Sequence, residues 1–123
     1  MGLQFLRIAT VYLIVGSVMG FVMGITEAFQ YAPVHAHLNL LGWASLALAG
    51  IVYHLYPAAA ETRLARIHFW LHNLGLPIFM VALAVMLAGN PAALAAVKAG
   101  ATMTLLGLFA FAANLLANVR KPG

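Results

Sequence analysis

Eight formal charges cut this chain into four charge-free runs, residues 8–26, 28–60, 67–97 and 99–119, which hold 19, 33, 31 and 21 residues. A helix crosses a bilayer with roughly 20 apolar residues, and every run supplies about that many. A water-soluble fold of this size covers its surface largely with charged and polar groups. Here 7% of the residues are charged and 65% are apolar, against roughly 45–50% apolar in an average soluble domain. The pattern excludes a soluble globular protein. It also excludes a disordered chain and a nucleic-acid binder built on a basic patch. It predicts an all-α integral membrane four-helix bundle, one transmembrane domain over the 123 residues, with the lipid bilayer as its first partner.

The helices are expected over residues 4–27, 34–56, 64–88 and 96–118. The first exceeds the 7–15 apolar residues of a secretory signal and lacks a convincing cleavage site, so it reads as a retained span. Its Gly16, Gly20 and Gly24 form a small-xxx-small row that admits a close neighbour, within the bundle or across a subunit interface. Pro33 fits the first turn of the second helix and Pro57 ends it, leaving 57–66 as a loop that rolls into the third. Pro77 predicts a kink near residues 73–77, and Gly89-Asn90-Pro91 is a turn signal. Arg7, Arg63, Arg66, Arg120 and Lys121 fall on one face and only Lys98 on the other. The positive-inside rule then makes the bundle N-in/C-in, a multi-pass protein of a bacterial inner membrane.

The polar exceptions within the runs concentrate on the second and third helices as histidine. Ionisable groups at membrane depth are costly and so point to function. His35, His37 and His54 lie on the second helix, His68 and His72 on the third. At about 1.5 Å per residue, His37 and His54 stand roughly 25 Å apart and belong to separate zones. In the outer zone, two residues amount to about 200° of rotation. His35 and His37 therefore point to opposite flanks and suit two planar cofactors better than one ion. Gly42 lies on nearly the His35 face and leaves room for a flat ring, and Asn39 can project there too. The bland alternative is a pair of wetted interfacial histidines. In the inner zone, His68 and His72 are four residues apart on one face. With His54 across the hairpin they make a candidate copper or zinc site. The alternative is bonding to loop carbonyls or water. There is no cysteine, which excludes thiolate chemistry, iron–sulfur ligation and covalent c-type haem.

The segment His35-Ala-His37-Leu-Asn-Leu-Leu-Gly42-Trp43, followed by Tyr53-His54-Leu-Tyr-Pro57 and His68-Phe69-Trp70-Leu71, resembles the last helices of the catalytic subunit of haem–copper oxidases, in the branch of the cbb-type oxidases and nitric oxide reductases. The likeness covers residues 34–120; the first helix fits by hydropathy alone. It implies that His35 corresponds to the proximal ligand of the high-spin haem and His37 to an axial ligand of the low-spin haem. His54 and His68 match positions that bind neither haem nor copper there, and His72 has no counterpart. The family subunit has about three times as many helices. The equivalents of its copper-site helices, and of the helix with the second low-spin ligand, are absent from this sequence.

Three functions follow as expectations. The first is a b-type haem protein, completed as a homo-oligomer, for electron transfer or for binding nitric oxide or oxygen. Its partners would be respiratory or nitric oxide-handling proteins. The second is a haem-free copper or zinc protein using His54, His68 and His72. The third is a cofactor-free accessory subunit of a respiratory complex. Enzyme status stays open: no nucleophile–base pair is present, and Glu27 and Glu61 fall on opposite faces.

Overall fold

The computed structural model describes residues 1–121. Four helical stretches are long and apolar enough to cross a membrane: Gly2–Thr26, Phe29–Leu55, Arg63–Leu87 and Pro91–Asn118. Among the described residues there is no strand. The all-α four-helix reading holds: the span ends fall within a residue of their expected places, while the second and fourth spans begin five residues earlier than expected.

The first span is α1 (Gly2–Thr26). The second is composite. A 3-10 turn (Phe29–Tyr31) leads into α2 (Ala32–His37), which carries Pro33 in its first turn, as expected. A π-helical segment (Leu38–Ala44) follows, then α3 (Ser45–Leu55). The 57–66 region is more ordered than a loop. Pro57 cannot extend α3 but opens the short helix α4 (Pro57–Ala60), where its missing N–H costs nothing. The third span is α5 (Arg63–Leu87), which stays helical through Pro77. Gly89 takes φ 109°, a left-handed conformation that glycine tolerates, and so makes the turn before α6 (Leu94–Asn118).

Thr62 sets the start of α5. Its Oγ1 accepts from the Ala65 N–H at 3.1 Å and its hydroxyl donates to the Ala59 carbonyl at 2.8 Å. It thereby joins α4 to the first turn of α5. Thr62→Ala removes the cap and is expected to cost about 1 kcal/mol. Reversible unfolding in mixed detergent would read the loss.

Lipid tails are as apolar as the helices, so packing rather than hydrophobicity draws helices together. The large outward residues, such as Phe21, Leu48, Val81 and Leu116, are exposed on the chain alone and form a surface fit for acyl chains. Inside, small residues govern the approach. Gly16 faces Asn39, and Gly20 faces the His35 ring, whose Cε1 would lie 2.5 Å from an added Cβ. Two members of the α1 glycine row thus serve packing within the bundle, whereas Gly24 meets nothing within 4 Å. A second set of glycines brings α5 and α6 together. Gly100 rests on the backbone of Phe79, Gly75 on that of Thr104, and Gly107 on that of His72.

Candidate functional site

The outer histidines flank the second span as their spacing predicts. His35 turns toward α1. Its Nδ1 donates to the Gly16 carbonyl at 2.8 Å, and the Asn39 side-chain amide lies 3.4 Å from its Nε2. His37 turns toward α5, where its ring meets Phe79 edge-on with centroids 5.1 Å apart. The His37 Nδ1 donates to the Pro33 carbonyl at 2.6 Å, four residues back. A carbonyl only accepts, so both Nδ1 atoms carry the proton and both Nε2 atoms keep a lone pair. The two lone pairs differ in access. The His35 ring is covered by the Asn39 amide, 3.3 Å from Nδ1 and 3.4 Å from Nε2, and is wedged on Gly20. The lone pair of His37 has no protein partner among the described residues, and the side chain is half-buried near the N-terminal end of its span.

Gly42 is buried, but the room it makes is filled. An added Cβ would lie 2.5 Å from Cγ of Tyr12. The absent side chain lets a tyrosine of α1 lie against the second span, so no space for a cofactor ring is left there.

The inner histidines do something their spacing did not reveal. His68 and His72 share a face, and they bond to each other, His68 Nε2 to His72 Nδ1 at 3.1 Å. Tyr53 reaches His68 Nδ1 at 3.0 Å, and His72 Nε2 reaches the Leu41 carbonyl at 2.9 Å. The carbonyl fixes the direction of the whole chain. His72 must donate through Nε2–H, so its Nδ1 accepts from His68 Nε2–H. His68 Nδ1 then accepts the Tyr53 hydroxyl proton. All three side chains are buried, at 2% exposure for Tyr53 and 0% for both histidines. The His68 ring is sandwiched between Phe5 of α1, 5.0 Å away, and Phe111 of α6, 4.7 Å away. The polar chain is fully satisfied, which is the condition for holding such groups in an apolar core.

This arrangement does not assemble the expected three-histidine metal set. Every ring nitrogen of His68 and His72 is spent on a hydrogen bond. His54 is exposed and lines a separate cleft with Met1, Gly2, Tyr53 and Glu61. Among the described residues no three metal-ligating side chains converge. The donor chemistry therefore does not fit copper or zinc at His54, His68 and His72. The depth assignment also shifts, because His72 reaches a carbonyl only four residues beyond His37 rather than staying at the inner end.

Leu41 has an available carbonyl because of the π segment. The Ser45 N–H, which would bond Leu41 in an α-helix, bonds the Leu40 carbonyl five residues back. The Ser45 hydroxyl donates to the same carbonyl at 2.7 Å. Leu41 thus loses its α-helical donor and receives one from His72 instead.

Sequence reasoning missed Tyr53, Phe5 and Phe111 as the surroundings of the inner histidines, and missed the π segment altogether. Helical spacing puts two histidines on one face but does not say which residues of other helices meet that face. Comparisons with protein-family models, curated proteins and solved structures gave no match to this chain.

Proposed function

We propose that this chain is a small b-type haem protein of a bacterial inner membrane that works as a homo-oligomer, in electron transfer or in binding a diatomic gas. The observation that carries this reading is His37. Its Nδ1–H is held by the Pro33 carbonyl and its Nε2 is bare. Histidines that ligate a metal ordinarily donate the other ring N–H to a carbonyl or carboxylate, which sets the tautomer and aims the lone pair. The likeness of His35-Ala-His37 to the haem-ligating motif of haem–copper oxidases supports the same residue.

His37 keeps a ring nitrogen that could ligate a haem, whereas at His35 and Gly42 α1 takes the space. His37 would be the one ligand this chain supplies, and a second copy of the chain would offer the same residue to a shared haem. Without that copy a haem held by His37 would be accessible to nitric oxide or oxygen. Bound there, haem would supply one-electron transfer or reversible gas binding, and axial ligation selects between them. The cation asymmetry supports an inner-face location for both ends of the chain.

A visible spectrum of the purified protein from a haem-replete host tests the reading. The expected result is a Soret band that sharpens on reduction with dithionite. A shift on adding carbon monoxide marks an open position, and no shift marks a six-coordinate iron. Colourless protein overturns the proposal.

A further inference from the structure

We propose that His72, aligned by His68 and Tyr53, is a register clamp: by capping the Leu41 carbonyl it holds the π segment and so sets which way His35 and His37 face. A π turn inserts one extra residue into the helical count. One residue is about 100° of rotation and 1.5 Å of rise. If residues 38–44 returned to α-helix while α3 kept its place, everything before Leu38 would turn by about that angle. His35 would leave the Gly16 carbonyl and His37 would leave Phe79. The facing of His35 toward α1 and of His37 toward α5 therefore exists only in the π register.

That register has one weak point, the Leu41 carbonyl that Ser45 abandons. A carbonyl left without a donor in the bundle would favour return to α-helix, where Ser45 would bond it. His72 Nε2 removes that pressure. The two residues behind it keep it in the donating form. His72 can offer Nε2–H only while its Nδ1 is an acceptor, which the His68 Nε2–H ensures. Tyr53 in turn fixes His68. A buried three-residue chain of single polarity, with the His68 ring between Phe5 and Phe111, thus ends on the carbonyl that Ser45 leaves. His72 is a positioning residue. It touches no proposed ligand and acts through the backbone of the second span.

The clamp stands without haem, but its functional consequence, the aim of His37, rests on the haem reading above. A disulfide reports the register independently of any cofactor, and the chain has no cysteine to interfere. A Cβ on Gly16 would lie 3.5 Å from Cβ of Leu38, which is within disulfide range. The double variant Gly16→Cys/Leu38→Cys is expected to cross-link readily on mild oxidation. Adding His72→Phe, which keeps a ring and removes the donor, is expected to lower the cross-linking rate about tenfold. Adding His72→Gln, whose amide can still donate to Leu41, is expected to restore it. Unchanged cross-linking in the His72→Phe background overturns the clamp. The wild-type chain supplies a second measurement that does not depend on any variant folding. Nitrogen-15 spectra of labelled histidine should show the Nε2–H tautomer at His72 and His68, and an Nδ1–H tautomer at His72 also overturns it. In haem-loaded protein, His72→Phe should shift the Soret band and His72→Gln should not. If the wild type is colourless, the haem reading falls, while the cross-link and the tautomer still decide the clamp.

Discussion

His37→Ala is expected to abolish the Soret band of the purified protein, whereas His54→Ala is expected to leave it unchanged. The contrast follows from what each ring nitrogen does. The His37 Nδ1 is committed to the Pro33 carbonyl at 2.6 Å and its Nε2 is unengaged. Alanine removes that lone pair, and no other histidine can replace it. The His35 ring is pressed against Gly20 and engaged by Asn39. His68 and His72 have no free nitrogen. His54 is exposed in a cleft at the far end of the span. If His37 ligates from two copies of the chain, loss of haem should be accompanied by loss of the oligomer, since one group bridges both. Size-exclusion chromatography with detection at the Soret wavelength and at 280 nm reads the two losses together. Retention of a wild-type spectrum by His37→Ala would move the ligand elsewhere and remove the main support for the proposed site.

The four spans were legible because charge is so expensive in a bilayer that its positions alone delimit them. Tyr56 and Ala88, where α3 and α5 stop, fall within a residue of the expected ends. The opposite facing of His35 and His37 was legible too, since it depends only on angle per residue. The π segment was not. It rests on the choice of Ser45 N–H between two adjacent carbonyls, and that choice depends on a donor from another helix, His72. The fate of Gly42 was illegible for a related reason. A missing Cβ signals close approach, but whether a cofactor or Tyr12 approaches is a fact of tertiary packing. Spacing puts the inner histidines on one face, but it does not reveal that a tyrosine and a carbonyl lie nearer to them than a third ligand.

Gly100→Ala is expected to destabilise the bundle by about 3 kcal/mol, against the sign that helix propensity alone gives. Alanine is the better helix former by about 1 kcal/mol, so an isolated α6 would gain from the change. In the bundle, the new methyl would overlap the Phe79 backbone nitrogen, and it would stand 2.7 Å from Phe79 Cα and 2.9 Å from the Gly75 carbonyl. These are backbone atoms of α5, and no rotamer change can move them aside. The two helices must separate instead. Separation carries a second cost, because Gly107 on the same interface lies against the His72 backbone, where an added Cβ would be 3.0 Å from its nitrogen. Moving α6 outward also withdraws Phe111 from the His68 ring and Asn114 from the Ala59 carbonyl, to which it donates at 2.9 Å. Gly24→Ala is the matched control. It makes the same chemical change in a span where an added Cβ meets nothing within 4 Å. That variant should be as stable as the wild type or gain up to about 1 kcal/mol. Steric trapping or reversible unfolding in mixed detergent would measure both. Equal stability of the two variants would mean that α5 and α6 do not approach through Gly100 in the membrane.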